Sequence, residues 1–239
     1  MPIGNDVKLT WLGHAAFLLE SPGGKRILID PWLSQNPSTP DHLRDPGPVD
    51  AILVSHGHAD HSGDVVELAQ RHRPSAVVGM VELMGYFEGK GVENTVGMNK
   101  GGTHEVLPGI RVTLTHAFHS SSIQDGDALV YTGEAAGFVI ELENGYRIYF
   151  AGDTSLFGDM ALIGELYRPD LAVLPIGDYY TMGPREAAKA MELLGVGTVV
   201  PMHFGTFPLL TGTVERLQQE ASGLAGLEVL ALEPGETLA

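Results

Sequence analysis

The sequence predicts an α/β (α+β) fold of four layers, an αββα sandwich in which two sheets pack face to face between helices. Two observations lead to this prediction. Short strand-like runs are interspersed with helical patterns, which is typical of layered α/β packing. The two halves also look alike, since Arg26–Asp30 is echoed by Arg147–Phe150 with Asp153, and Asp50–Val54 by Asp170–Leu174. An internal duplication would give two sheets that bury one face against each other, although chance similarity of apolar strands remains the alternative.

The predicted elements follow one another along the whole chain. The strand-like runs are Lys8–Leu12, Ala16–Glu20, Arg26–Ile29, Ala51–Val54, Ala76–Val78, Arg111–Thr115, Gly137–Leu142, Arg147–Phe150, Leu171–Leu174, Thr198–Val200 and Glu228–Leu232. The helical segments are Gly63–Arg73, Val81–Lys90, Leu156–Tyr167, Pro184–Leu194 and Thr213–Ser222. Because no linker long enough to separate domains interrupts them, we predict one domain over residues 1–239 with two pseudo-symmetric halves.

Composition narrows the classes of function. The 239 residues, 44% of them hydrophobic, suffice for a substantial core. The net charge of −16 and the scattered 14 Lys and Arg residues leave no basic face, so we expect no nucleic-acid partner. The absence of cysteine excludes disulfides, thiolate ligands and a Cys nucleophile.

The sequence also bears on compartment and assembly. The start Met1–Asp6 lacks the basic and apolar regions of a signal peptide, and no apolar run approaches the roughly 18 residues of a membrane span. We therefore expect a cytoplasmic protein with no membrane partner and a small-molecule substrate. Homo-oligomerisation is left open.

The segment His56-Gly57-His58-Ala59-Asp60-His61 is the most informative stretch of the chain. It places four metal-capable side chains within six residues, directly after the apolar run Ala51–Val54. Imidazole and carboxylate suit Zn²⁺, Fe and Mn. In a tight loop, His56 and His58 can face one metal ion while Asp60 and His61 face a second. The alternative, a solvated polar turn rich in histidine by chance, fits this spacing poorly.

This H-x-H-x-D-H pattern after an apolar strand resembles the metallo-β-lactamase-fold superfamily of hydrolases. The resemblance implies further ligand stations in fixed chain order, and His119, Asp153 and His203 each lie at or just after a strand-like run. It also implies two sites. His56, His58 and His119 would bind one metal ion, Asp60, His61 and His203 would bind the other, and Asp153 would bridge them.

Alternatives accompany three of these residues. Asp153 could instead cap the helix predicted over Leu156–Tyr167. His116 competes with His119 for the same station, and His119 is favoured because ligands collect in loops at strand ends. His119 and His203 could also be ordinary structural histidines.

Three residues and one loop have expected roles around the site. Asp60 is expected to orient the attacking hydroxide while it ligates. His14 lies in a predicted hairpin turn. It is either a catalytic residue, which supports the site or faces the substrate, or it is a plain turn residue. Asp30, at the end of a strand, is expected to orient a ligand imidazole. In the second half the loop Asp178–Met182 occupies the place of the histidine cluster, so Tyr179, Tyr180 and Thr181 are expected to line the substrate pocket.

Several longer strings resemble one branch of the superfamily, the UPF0173 metal-dependent hydrolases. The strings are Leu28–Pro31, Ala51–His58, Ala151–Thr154, Leu174–Asp178, Thr181–Pro184, Val199–Phe204 and Thr206–Pro208. The similarity runs nearly end to end. Tyr179-Tyr180 and Phe204-Gly205 depart from the Asn-Phe and Tyr-Asn expected there, which bears on substrate preference.

The function predicted from these features is hydrolysis by a hydroxide that bridges two divalent metal ions, with Zn²⁺ expected and Mn²⁺, Ni²⁺ or Fe as alternatives. We expect a small ester, lactone or similar substrate. The first alternative is a small or cyclic phosphodiester. Two remote alternatives are a di-iron redox protein and a non-catalytic binding protein.

Overall fold

The computed structural model describes residues 3–4 and 6–239, so Met1, Pro2 and Asn5 lie outside the described part. In chain order the strands are β1 (Lys8–Gly13), β2 (Ala16–Glu20), β3 (Arg26–Ile29), β4 (Ala51–Leu53), β5 (Ala76–Met80), β6 (Thr95–Met98), β7 (Thr103–Leu107), β8 (Ile110–His116), β9 (Ser122–Asp125), β10 (Ala128–Tyr131), β11 (Ala136–Glu141), β12 (Arg147–Phe150), β13 (Leu171–Pro175), β14 (Thr198–Met202), β15 (Glu228–Val229) and β16 (Thr237–Leu238). The helices are α1 (Ala59–Ser62), α2 (Val65–His72), α3 (Val81–Gly89), α4 (Met160–Tyr167), α5 (Pro184–Leu194) and α6 (Val214–Ala221), and a 3₁₀ turn spans Asp41–Leu43.

The strands form two large sheets and a two-stranded ribbon. The first sheet has the order β16-β1-β2-β3-β4-β5-β6, the second has the order β15-β14-β13-β12-β11-β8-β7, and β9 pairs with β10 in the ribbon. Strands β3 to β6 are parallel, as are β12 to β15, and an antiparallel strand precedes each parallel set. The carboxyl ends of parallel strands lie at one edge of a sheet, which is where ligands bind in open α/β sheets.

Two apolar clusters hold the layers together. The larger one joins both sheets, and the rings of Phe17 and Phe150 meet across it edge to face with centroids 6.0 Å apart. Helices α2 and α3 also bury apolar side chains in this cluster. The second cluster packs α4, α5 and α6 against the second sheet. In α5, Ala187, Met191 and Leu194 recur at helical spacing on the buried side. The arrangement is the predicted αββα sandwich, which is thereby confirmed.

The structure adds elements that the sequence pattern did not predict. Strands β6, β7, β9, β10 and β16 and the short helix α1 were not expected. The ribbon strands are partly or fully exposed: β9 is largely polar, and β10 is an apolar run of only four residues, so neither shows the apolar alternation that marks a strand. Helix α4 begins at Met160 rather than at Leu156, which leaves a longer loop after β12. Within the described residues, no helix is long and apolar enough to cross a membrane.

Candidate metal centre

The histidine-rich segment lies at the carboxyl end of β4. His56 and His58 are in the loop, and Asp60 and His61 belong to α1, which starts at Ala59. A Cβ atom at Gly57 would lie 2.3 Å from Thr132 Oγ1 and 3.2 Å from the carbonyl carbon of Ser122. Glycine is therefore required where the loop passes close to the ribbon.

The remaining candidate ligands come from the second sheet. His119 follows β8, Asp153 follows β12 and His203 follows β14. Gly152 has φ +61, and a Cβ there would lie 2.7 Å from the Ala136 carbonyl oxygen. Only glycine permits this close turn, which brings the Asp153 side chain to the interface between the sheets.

Three imidazoles form a first group. His56 Nε2 lies 3.0 Å from His58 Nδ1, and His119 Nε2 lies 3.3 Å from the same atom. For metal–nitrogen bonds of about 2.0–2.1 Å, tetrahedral geometry separates two nitrogen ligands by about 3.3 Å. The two distances from His58 Nδ1 are thus already close to the spacing that one tetrahedral ion requires, and all three donor atoms lie within 4.8 Å of one another.

A second group contains Asp60, His61 and His203, and the structure adds His14 to it. One donor atom from each of these four residues lies within 4.8 Å of the other three. His203 Nε2 is 3.9 Å from Asp60 Oδ2. The sequence analysis assigned Asp60, His61 and His203 to the same site but did not count His14 among its ligands.

Asp153 lies between the two groups. Its Oδ2 is 3.2 Å from His61 Nε2 and 3.1 Å from His203 Nε2, both in the second group. The same oxygen is 3.6 Å from His119 Nε2 and 4.0 Å from His56 Nε2, both in the first group. A carboxylate in this position can serve two ions.

Several buried polar atoms of this cluster lack a hydrogen-bond partner. Among the described residues these include Asp153 Oδ1, His61 Nε2 and both ring nitrogens of His203. Unsatisfied buried polar groups are costly and rare in native proteins, unless an ion or water fills the site. The donor set and its unsatisfied atoms therefore fit bound metal ions.

The charges of the metal-free cluster are paired. Burial by itself would lower the pKa of His61, but contacts with Asp153 and Asp30 outweigh burial and raise that pKa well above its usual value. Burial would raise the pKa of Asp153, but His203 and His61 outweigh it and lower that pKa. Burial lowers the pKa of His56, with neighbouring His61 adding to the effect. Without metal, a cationic His61 beside an ionised Asp153 balances the charge.

Asp30 supports His61 from behind. Its Oδ2 accepts a hydrogen bond from His61 Nδ1 at 2.8 Å and another from Ser55 Oγ at 2.5 Å, and its Oδ1 accepts one from the Ser55 backbone N–H at 2.7 Å. The Nδ1 proton on His61 leaves Nε2 directed at Asp153. Asp30 is also close enough to His56 and His61 to be a metal ligand together with them. Its oxygens, however, are already occupied by these hydrogen bonds. The carboxylate thus orients an imidazole, the role that the sequence suggested.

His14 supports Asp60 in a similar way. His14 Nε2 lies 3.2 Å from Asp60 Oδ2, and its Nδ1 lies 2.9 Å from Thr206 Oγ1. Burial, reinforced by nearby His203, lowers the pKa of His14 to about 4, so the ring is neutral at pH 7. Burial would raise the pKa of Asp60, but His14 and His61 outweigh burial and lower that pKa. Asp60 is therefore an anion, which can only accept hydrogen bonds. Nε2–H therefore donates to Asp60, and Nδ1 accepts from the Thr206 hydroxyl.

Three residues of the centre adopt a strained backbone conformation. His14, Asp30 and His203 have φ values of +55°, +45° and +55°, in the left-handed region that non-glycine residues seldom adopt. Such strain costs roughly 1–3 kcal/mol per residue and persists where the surroundings impose it, often at functional sites. The surrounding structure therefore holds these three side chains in place at a local energetic cost.

The structure discriminates between the alternatives for two residues. His116 lies on β8, with its Nδ1 3.0 Å from Lys100 Nζ, whereas His119 lies with His56 and His58. Asp153 does not cap a helix, because α4 begins seven residues later at Met160.

A cavity of about 610 Å³ opens onto both groups. Its polar lining residues are His58, Asp60, His119, Ser120, Asp153 and His203, and its other lining residues are Tyr180, Phe207, Pro208 and Leu209. A second cavity of about 290 Å³ adjoins the other side of the histidine loop at Gly57 and Ala59 and contains none of the candidate ligands.

The predicted substrate loop reaches the cavity with one residue only. Tyr180 lines it, whereas Tyr179 and Thr181 do not. Asp178 and Tyr179 have positive φ values of 65° and 57°, so the chain turns sharply between successive side chains. Sequence reasoning missed the lining by Phe207–Leu209, although Phe207 and Pro208 belonged to one of the strings that indicated the family.

Comparisons with known proteins identify the family of the chain. A family model described as beta-lactamase superfamily domain matches residues 25–204. A UPF0173 metal-dependent hydrolase of Rubrobacter xylanophilus is 53% identical over 233 residues, which cover 97% of this chain and 96% of the relative. One of Herpetosiphon aurantiacus is 50% identical and covers 97% of each chain.

A solved structure gives the same result. The structure of Igni18, described as a novel metallo hydrolase from Ignicoccus hospitalis, superposes with a TM-score of 0.85 at 38% identity and 97% coverage of each chain. Fold and site thus define a metal-dependent hydrolase of the metallo-β-lactamase fold. Within that class, the chain belongs to the UPF0173 family of metal-dependent hydrolases.

Proposed function

We propose that this hydrolase uses two divalent metal ions to cleave a small ester or lactone. The observation that carries the proposal is the position of Asp153 Oδ2, within 3.1–4.0 Å of imidazoles from both ligand groups. One ion cannot take up seven protein donors in tetrahedral geometry. Two ions that share the Asp153 carboxylate use all of them.

The first ion would be held by His56, His58 and His119, and the second by Asp60, His61 and His203. Imidazole and carboxylate accept Zn²⁺, Mn²⁺, Ni²⁺ or Fe, and Zn²⁺ is the expected occupant. When bound, such a pair supplies Lewis acidity that activates water at neutral pH and polarises the scissile carbonyl.

The protein's own residues would orient the reaction. Asp60 borders the cavity and directs one carboxylate oxygen to His14, so its position is fixed by the His14–Thr206 hydrogen-bond chain. We propose that its carboxylate also accepts a hydrogen bond from the attacking water and so orients that nucleophile. Asp60 is then the catalytic carboxylate, and His14, which is buried and absent from the cavity lining, is a positioning residue.

The shape and charge of the cavity favour a small molecule. A volume of about 610 Å³ is in the range of pockets that enclose small organic ligands. The net charge of −16 disfavours long polyanions, so nucleic acids and anionic membranes are not proposed as partners. Small or cyclic phosphodiesters are the alternative substrates.

The proposal can be tested with metal-reconstituted protein and a panel of neutral lactones, aryl esters, thioesters and cyclic phosphodiesters. We expect ester or lactone hydrolysis that disappears with chelator, returns with metal, and falls by about 10²-fold or more in Asp60→Asn. Phosphodiester turnover that exceeds every ester and lactone, or turnover unaffected by metal removal, would contradict it.

A further inference from the structure

The residues that line the large cavity divide into two chemically different sets. The polar set is the candidate metal centre with Ser120. The other set contains the contiguous segment Phe207–Leu209 and Tyr180. Leu209 and Tyr180 are 46% and 49% exposed, so a ligand in the cavity can contact both. We call Tyr180 and Phe207–Leu209 the apolar wall.

The apolar wall is held in place by its neighbours. The Phe207 ring packs edge to face on His14, with centroids 5.3 Å apart, and lies 5.8 Å from the ring of Trp32. The Leu210 backbone N–H donates to the Phe207 carbonyl at 3.0 Å, and the Leu210 side chain is buried. These contacts fix the segment on both sides of Leu209, so the wall is a preformed surface.

The cavity offers no cation to a substrate other than through its metal centre. Across residues 3–4 and 6–239, no Lys or Arg lines the cavity, and its ionisable lining residues are His58, Asp60, His119, Asp153 and His203. A second phosphoryl or carboxylate group, remote from the scissile bond, would lose hydration without gaining a charged partner. The part of the substrate that lies on the wall is therefore uncharged.

We infer that the apolar wall is a specificity site for a neutral alkyl or aryl group of the substrate, and that it selects against substrates with a second anionic group. The inference rests on the proposed function for the chemistry of the scissile bond. It adds the class of substituent that the site accepts and the residues that select it.

Binding can be measured separately from hydrolysis. Straight-chain alkyl hydroxamates from two to eight carbons chelate metal and carry an alkyl chain, and calorimetry on metal-loaded protein gives their affinities. We expect affinity to rise by up to about fourfold per methylene over the first few additions. An eight-carbon hydroxamate that ends in a carboxylate should bind at least about tenfold more weakly than its neutral counterpart.

Variants at Leu209 test the wall itself. Leu209→Ala should lower the gain per methylene, and Leu209→Lys should reverse the preference toward the chain that ends in a carboxylate. The matched controls are Leu166→Ala and Leu166→Lys, because Leu166 is an exposed leucine of α4 that does not line the cavity. Metal content by elemental analysis should equal that of the unaltered protein in all four variants.

The outcomes separate the inference from the proposed function. The inference that the apolar wall is a specificity site is overturned if affinity does not depend on chain length. It is also overturned if affinity changes equally in the Leu209 and Leu166 variants. A chain-length preference that depends on Leu209, combined with the absence of ester and lactone hydrolysis, supports the wall and contradicts the proposed function. A parallel trend in kcat/KM for neutral esters supports both.

Discussion

The two sheets supply the candidate metal ligands in different ways. The first sheet concentrates His56, His58, Asp60 and His61 in one segment after β4. The second sheet distributes its ligands over separate loops, with His119 after β8, Asp153 after β12 and His203 after β14. Each ligand group nevertheless takes members from both sheets.

This difference shows what the metal ions would do for the fold. In the first ligand group, His56 and His58 come from the first sheet and His119 comes from the second sheet. In the second ligand group, His203 comes from the second sheet. Bound ions would therefore join the two sheets at one edge, and metal binding should stabilise the folded protein increasingly as the free metal concentration rises above the dissociation constant. The effect of replacing a residue should therefore depend on how many of the two ions it would hold.

The largest effect is expected at the residue that contacts both groups. Asp153→Ala should weaken both metal sites by more than the roughly 10–100-fold that loss of a supporting residue costs. Competitive titration with a chromogenic chelator measures both affinities. If Asp153→Ala lost one equivalent of metal and bound the other with unchanged affinity, Asp153 would belong to one ligand group only.

A smaller effect is expected where a ligand serves one group. His119→Ala should weaken the first site and leave the second, because His119 lies with His56 and His58. His116→Ala is the matched control, since His116 is three residues away and contacts Lys100 instead. The assignment is wrong if the His116 variant loses metal and the His119 variant keeps it.

Supporting residues should rank below ligands. Asp30→Asn keeps the size of the side chain but removes the charge that fixes the His61 imidazole, so the affinity of the second site should fall by about 10–100-fold. The first site should be weakened less, and the same titration resolves the two. Equal weakening of both sites would mean that Asp30 acts on the whole edge of the sheet rather than on His61.

The pH dependence of metal binding should reflect His61. Its raised pKa means that it carries a proton at neutral pH in the metal-free protein, and a metal ion needs the neutral ring. Affinity should therefore rise with pH, by up to about tenfold per unit below the raised pKa. The same His61–Asp153 pairing stabilises the metal-free fold below the ordinary histidine pKa, and this contribution is lost as the pH rises through the raised value.

Calorimetry in buffers of different ionisation enthalpy would count the released proton, and chemical denaturation with and without metal would follow the two stabilities. Affinity independent of pH between 6 and 8 would show that His61 is already neutral before metal binds.

The contrast between the sheets also explains what could be predicted from sequence. The segment His56–His61 was recognisable because its ligands are adjacent in the chain, and the second-sheet ligands only because each follows a strand-like run in the order of the superfamily. The link from His14 to Asp60 and Thr206 was not predictable, because it joins residues 46 and 192 positions away. Strand β9 and helix α1 were missed because they carry no periodic apolar signal, and β10 because its apolar run is only four residues long.

The central claim is that both sheets together bind two ions that share Asp153. Elemental analysis combined with titration of chelator-treated protein tests this most directly. We expect saturation at two divalent ions per chain, and at no more than one in His119→Ala over the same concentration range. Saturation at one ion per chain in the unaltered protein, under excess metal, would contradict it.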